Sequence, residues 1–227
     1  MSAAEHPDQH PPVIRPAHPA DVWAIRDIVE PYANERILLA KDLVDYFESI
    51  PEFLVATDPD SREVVGCGGL HVMWEDLGEV RTLAARRDRR STGVGHHLLE
   101  ALLERARDYD LARVFCLTFE VEFFSRHGFA PISGDVVDME VYNELLLSRD
   151  DGIAEFLDLA RVKPNTLGNT RMLRHLNLSE RDEGAPGEGA RIEEARSQEA
   201  GSEEARSQEA RSDPQRPGGE QSEGEHR

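Results

Sequence analysis

The sequence predicts an α/β fold, a mixed central sheet flanked by helices. Three observations carry it. Three apolar runs, residues 52–57, 63–72 and 78–84, follow one another with turn-forming residues between them, as an antiparallel meander requires. The third run then passes through an arginine cluster and two glycines, Gly93 and Gly95, into an amphipathic helix over 96–107. That helix carries Leu98, Leu99, Leu102 and Leu103 on one side. A further apolar run, Arg113–Thr118, follows it. A strand–helix–strand crossover makes this strand parallel to the one before the helix. Antiparallel and parallel neighbours in one sheet make it mixed.

The remaining elements follow in order. Residues 1–12 are polar and proline-bearing and read as a flexible N-terminus. Residues 13–15 form a short first strand. Asp21 or a residue just before it caps a helix whose apolar face is Val22, Ile25, Ile28 and Val29, and Pro31 is expected to break it. Residues 34–41 connect to a second short helix over 42–47, which Pro51 ends. Asp58, Pro59, Asp60 and Ser61 make a turn. Gly66, Gly68 and Gly69 in the second meander strand predict a bulge or tight packing. A short helix is expected over 121–126, a strand over 128–132 and a helical stretch over 153–159. The domain is expected to span 13–178. From 179 the composition changes: the last segment has fourteen acids, seven arginines and no Phe, Tyr or Trp. It repeats Glu-Glu-Ala-Arg-Ser-Gln-Glu-Ala from Glu193 and again from Glu203. Nothing in it could form a core, so 179–227 reads as a disordered acidic tail.

The 227 residues carry a net charge of -19, which argues against nucleic acid and anionic membrane surfaces as partners. No apolar run is long enough to cross a bilayer and no signal peptide is evident. Cys67 and Cys116 lack metal-ligand spacing and sit in apolar runs, so they read as buried free thiols of a reducing cytoplasm. Lys41 and Lys163 are the only lysines.

The stretch from Arg81 to Gly95 has the makings of a phosphate site. The first N–H groups of a helix lack internal acceptors, the helix dipole favours negative charge there, and glycines let a diphosphate approach the backbone. Three glycines in dinucleotide-fingerprint spacing are absent, and so is the Gly-Lys-Ser/Thr of a P-loop. The pattern Arg90-x-x-Gly93-x-Gly95, between a strand and an amphipathic helix, resembles the pyrophosphate motif of the GNAT superfamily of acetyl-CoA-dependent N-acetyltransferases. The segment from Phe123 to Phe129 is similar to that family's aromatic-rich segment after the fifth strand. The resemblance covers about 13–178 and implies the GNAT fold, acetyl-CoA as co-substrate and no metal. It implies that the amides of Arg90, Ser91, Thr92, Gly93, Val94 and Gly95 grip the CoA diphosphate. Leu83, Ala84 and Ala85 would hold the acetyl carbonyl and pantetheine arm, with the Leu83 N–H as oxyanion donor. Glu79, on the strand before the loop, is the candidate general base acting through water, beside the plain reading of a strand-edge glutamate. Many members carry a tyrosine four residues before the glycine of the Gly-Phe pair to protonate the leaving thiolate. Here that position is Phe124, which cannot donate a proton, so water, another group or an unassisted thiolate must serve.

The acceptor is read from three stretches. The segment from Arg36 to Lys41 resembles the Ile-Leu-x-x-cation segment of N-acetylglutamate synthases. The runs 78–85 and 115–118 resemble the same enzymes, and the segment from Arg161 to Leu173 is similar to the C-terminal end of their short, single-domain form in arginine biosynthesis. That resemblance implies L-glutamate as acceptor. Its two carboxylates call for converging cations and donors: Lys41, Arg81, Thr82, Lys163, Asn165, Thr170 and Arg171. Surface solvation is the plain alternative for each. The short stretch before residue 13 leaves no room for the arginine-binding kinase-like domain of the longer synthases. Two other readings stay open, a GNAT enzyme with another amine acceptor and a non-catalytic acetyl-CoA-binding module. A homodimer is compatible with each.

Overall fold

The computed structural model describes residues 10–39, 41–134, 136–159 and 168–177. The chain divides into two units, Met1–Ser179 and Glu180–Arg227, and the described residues belong to the first. The expected acidic tail, most of the expected N-terminal segment, Lys163 and Asn165 lie outside the described residues. The strands are β1 (Val13–Pro16), β2 (Phe53–Thr57), β3 (Val64–Trp74), β4 (Leu77–Ala85), β5 (Arg113–Thr118), β6 (Ala130–Pro131) and β7 (Thr170–His175). The α-helices are α1 (Val22–Asn34), α2 (Leu43–Glu48), α3 (Val94–Asp108), α4 (Val121–Arg126), α5 (Met139–Leu145) and α6 (Asp151–Phe156).

The strands form one sheet in the order β1-β2-β3-β4-β5-β7-β6. All neighbours are antiparallel except β4 and β5, which are parallel across the α3 crossover. The mixed sheet and its meander are thus as the sequence predicts. Successive residues of a strand face opposite sides, and β2 shows it. Leu54 and Ala56 join the core under α3, while Phe53 and Val55 join the core under α1. In α3, Leu98, Leu99, Leu102 and Leu103 are fully buried; each contributes about 2 kcal/mol through the apolar surface it removes from water. The glycines of β3 let α3 lie close. A Cβ on Gly66 would meet Val94 Cγ1 at 2.5 Å, and one on Gly68 would meet Leu102 Cδ1 at 2.9 Å. Cys67 and Cys116 are both buried free thiols.

Several elements depart from expectation. α1 runs through Pro31 to Asn34. Proline removes one N–H and crowds the carbonyl four residues back, but only three residues of helix follow it, so little regular structure is at stake. α3 begins at Val94, two residues early, which places Gly95 inside its first turn. The expected strand at 128–132 is reduced to Ala130–Pro131, because β7 enters between it and β5. The sequence reading assigned no strand to β7.

Candidate active site

β4 and β5 part early. They pair only at Leu77↔Arg113, Gly78↔Val114 and Glu79↔Phe115, so beyond Glu79 the edge of β4 facing β5 has no strand beside it. On its other edge, the register with β3 passes from Gly69↔Arg81 to Cys67↔Ala84. One residue of β3, Gly68, thus stands opposite two of β4, Thr82 and Leu83. This is a bulge, and Thr82 adopts φ +56° there. A bulge turns the local amides away from the regular ladder. A cleft of about 1820 Å³ opens along the split, lined by Glu79, Arg81, Thr82, Leu83, Ala84 and Ala85 among others. That exceeds what a single small ligand fills and suits a long donor together with an acceptor.

Glu79 stands where the two strands separate. It is 4% exposed, and its Oε2 has no hydrogen-bond partner among the described residues. Burial raises its pKa to about 7, opposed by the charge of Arg81 and reinforced by Asp150 and Glu155. The cover is α6. Asp150 caps that helix, its Oδ1 accepting from the Ile153 N–H at 3.1 Å, while its Oδ2 takes Arg81 Nη1 at 3.0 Å. One carboxylate therefore both starts the helix and ties it to β4. Gly152, in the first turn, lies against the Glu79 carboxylate so closely that a Cβ would sit 2.9 Å from Oε1 and closer still to Oε2. Glu155, one turn further on, is also buried, and burial raises its pKa to about 7.

Arg81 is held on its other side by Glu52 Oε2 at 2.5 Å and lies 3.1 Å from His71 Nδ1, itself 2.8 Å from Glu52 Oε1. Its charge is therefore matched by two acids of the protein. Lys41 differs. It lines the same cleft, forms no ion pair among the described residues, and burial lowers its pKa. Arg81 lowers it further, while Glu79, Glu52 and Asp150 oppose the shift without a direct ion pair, so the ammonium can take a ligand carboxylate.

The expected diphosphate loop closes the far end. Residues Arg87–Arg89 make a 3-10 turn, the Thr92 hydroxyl donates to the Arg89 carbonyl at 2.7 Å, and Ser91 takes φ +64°. Gly93 caps α3 at φ +89°, a conformation glycine adopts without strain. The arginines of the loop all have acid partners: Arg86 with Glu63 and Asp88, Arg87 with Glu35, Arg89 with Asp58, and Arg90 with Glu120 at 3.5 Å. Exposed pairs such as Arg90–Glu120 are worth about 0–1 kcal/mol, so a diphosphate can replace the glutamate at small cost. Arg90, Ser91, Gly93 and Gly95 line the cleft. Val94 is instead a core residue, and Thr92 and Val94 border a separate small cavity.

The comparison with known proteins decides the family. The chain is 53% identical over 170 residues to an amino-acid acetyltransferase of Mycobacterium tuberculosis, spanning 74% of this chain and 97% of that protein. The acetyltransferase (GNAT) family model matches residues 22–129.

The chain belongs to the GNAT acetyltransferase family.

It is an acyltransferase whose acyl donor is acetyl-CoA. The crystal structure of Rv2747 from Mycobacterium tuberculosis, in complex with CoA and NLQ, is similar with a TM-score of 0.71 at 53% identity, covering 73% of this chain and all of that one. N-acetylglutamate synthase from Neisseria gonorrhoeae, complexed with coenzyme A and N-acetyl-glutamate, shares the fold with a TM-score of 0.58 at 23% identity, covering 73% of this chain and 35% of that one. In this acetyltransferase Phe124 is buried and packs edge-on against Phe123 and Phe129. The position that many GNAT enzymes use for a tyrosine acid is thus an aromatic core contact.

The structure brings Lys41, Glu79, Arg81, Thr82 and the 83–85 segment to one cleft. Thr170 and Arg171 are not among its lining residues. They belong to β7, opposite Thr118 and Leu117, and the Arg171 guanidinium donates to the Phe156 carbonyl. The sequence reading missed Glu52, His71, Asp150, Gly152 and Glu155. Their only local signal was the Asp150-Asp151-Gly152 helix start, and nothing in the sequence ties that start to β4.

Proposed function

We propose that the chain transfers acetyl from acetyl-CoA to the α-amine of L-glutamate in arginine biosynthesis. The observation that carries this is a buried carboxylate and a lysine with no ion pair among the described residues in one cleft, Glu79 at the strand split and Lys41 on its lining. Glu79 takes the proton of the acceptor ammonium. Its pKa near 7 lets it accept a proton from an amine and release it to water at neutral pH. The neutral amine attacks the thioester carbonyl, the N–H of Leu83 stabilises the developing oxyanion, and the thiolate of CoA leaves. Arg90, Ser91, Gly93 and Gly95 hold the diphosphate, with Thr92 and Val94 shaping the turn. Ala84 and Ala85 line the path of the pantetheine arm. Lys41 receives an acceptor carboxylate. Arg81 positions Glu52, Asp150 and α6, and Thr82 sets the bulge. Lys163 and Asn165 complete the acceptor contacts in this reading. The name of the Mycobacterium tuberculosis relative, amino-acid acetyltransferase, supports the acceptor class.

Lys41→Met tests the acceptor assignment. One charge-assisted contact is worth about 1.5–3 kcal/mol, so the KM for L-glutamate should rise roughly 10- to 100-fold while the KM for acetyl-CoA stays within about twofold. An unchanged KM for glutamate would remove Lys41 from the site.

A second reading, a cationic acceptor, draws on the acids Glu52, Glu79, Asp150 and Glu155 that line the cleft. L-lysine in the acceptor assay separates the two.

A further inference from the structure

The rim of the cleft beside α3 holds a cluster that acyl transfer does not use. His96 and Glu100 are four residues apart on α3, so their side chains share one face of the helix. His127, which closes the C-terminus of α4, reaches them. Its Nε2 lies 2.8 Å from His96 Nδ1 and 3.9 Å from Glu100 Oε1, and the three atoms lie within 4.8 Å of one another.

The ring of His127 is already oriented. Its Nδ1 is 2.8 Å from the Phe123 carbonyl oxygen. A carbonyl only accepts, so Nδ1 carries the proton, and in the neutral ring the lone pair sits on Nε2, toward His96 and Glu100. A hydrogen bond from the outer ring nitrogen to a backbone carbonyl is how metal-ligating histidines are held in tautomer and angle. The ring also packs against Phe123 and His96, with centroids 4.7 and 5.1 Å apart, and its side chain is 8% exposed.

We propose that His96, Glu100 and His127 form a binding site for a borderline divalent transition metal, Zn2+ by preference. Two imidazoles and a carboxylate match that ion, with water as fourth ligand. Bonds of about 2.0–2.2 Å in tetrahedral geometry separate ligand atoms by roughly 3.3 Å, and the observed 2.8 and 3.9 Å bracket this. A neutral His96 needs only to move its proton from Nδ1 to Nε2 to coordinate. Mg2+ and Ca2+ require oxygen-rich shells and are not served. A bound ion would tie the end of α4 to the first turns of α3. All three residues line the cleft, next to the diphosphate loop, but the transfer steps assigned above pass through none of them.

The test is calorimetric titration of ZnCl2 into full-length, untagged, metal-stripped protein. One equivalent should bind, with no binding of MgCl2. The apparent Kd should rise at least 10- to 100-fold in His127→Gln and in Glu100→Gln. His96→Gln, at an exposed position, serves if His127→Gln does not fold, with circular dichroism as the check. Zn2+ should raise the melting midpoint of the wild type and leave that of the variants in place. The chain has nine histidines, so equal stoichiometry and affinity in wild type and His96→Gln would place the metal elsewhere and overturn the proposal. Absence of Zn2+ binding to the wild type would overturn it as well.

Discussion

Glu79 owes its chemistry to what covers it. A glutamate on a strand edge would titrate near 4.5; beneath α6 it is pushed up to about 7. As a base it works deprotonated, so kcat/KM should climb as pH rises through about 7. Glu79→Gln should abolish that limb and lower kcat about 10²- to 10⁴-fold, with acetyl-CoA affinity little changed. Stability should move the other way. The folded state keeps the Glu79 proton between pH 4.5 and about 7 while the unfolded chain has released it. Stability from this group is therefore full below 4.5 and lost as pH rises through 7. At pH 8 the Gln variant should be more stable than the wild type, on the order of 1–3 kcal/mol, by denaturant titration. Gly152 belongs to the same scale. A Cβ there collides with the Glu79 carboxylate, so Gly152→Ala should displace the base and lower kcat roughly tenfold or more. Binding of acetyl-CoA at the distant loop should persist, as equilibrium dialysis would show.

At the scale of elements, the site is an assembly of three: the bulged β4, the turn into α3, and α6 docked by an ion pair. Arg81 is 14% exposed in its side chain and serves Glu52 and Asp150 together. Arg81→Met leaves both acids without their cation, and breaking such a pair costs about 3 kcal/mol. It also removes the positive charge that opposes the burial of Glu79 and leaves the Asp150 carboxylate beside it unneutralised. The pH midpoint of the activity profile should then rise above about 7. A midpoint that falls would mean that water reaches Glu79 once Arg81 is gone. At the other end, Gly93 at φ +89° should not tolerate a side chain. Gly93→Ala costs about 1 kcal/mol in a left-handed conformation and should raise the KM for acetyl-CoA more than that for the acceptor.

At the scale of the whole molecule, the sequence made the sheet legible because its signals are local. Apolar runs mark six of the strands, and the meander together with the crossover over the leucine-faced α3 sets the relative directions of β2 to β5. Gly93 and Gly95 mark the loop because a left-handed cap and a close approach demand glycine. β7 escaped because its place beside β5 is set by pairing across a long sequence separation. The acid cluster around Arg81 escaped for the same reason, since Glu52, Glu79 and Asp150 share no motif and meet only after folding. Thr170 and Arg171 lie on β7, where the Arg171 guanidinium donates to the Phe156 carbonyl, a placement that only this long-range pairing sets. The acidic region from 179 onward lies outside the described residues, and the Mycobacterium tuberculosis structure is covered in full by 73% of this chain. A chain ending at residue 178 should therefore keep kcat and both KM values within about twofold of the full chain.

The central claim is the acceptor. The most direct test is release of free thiol from acetyl-CoA at neutral pH by the full-length protein, with L-glutamate, L-glutamine, L-aspartate, L-lysine and a buffer blank in parallel. Selective release with L-glutamate, reduced in Lys41→Met, is the expected result. Release with L-glutamine or L-lysine in preference to L-glutamate, or no release above the blank from protein that binds acetyl-CoA, would contradict it.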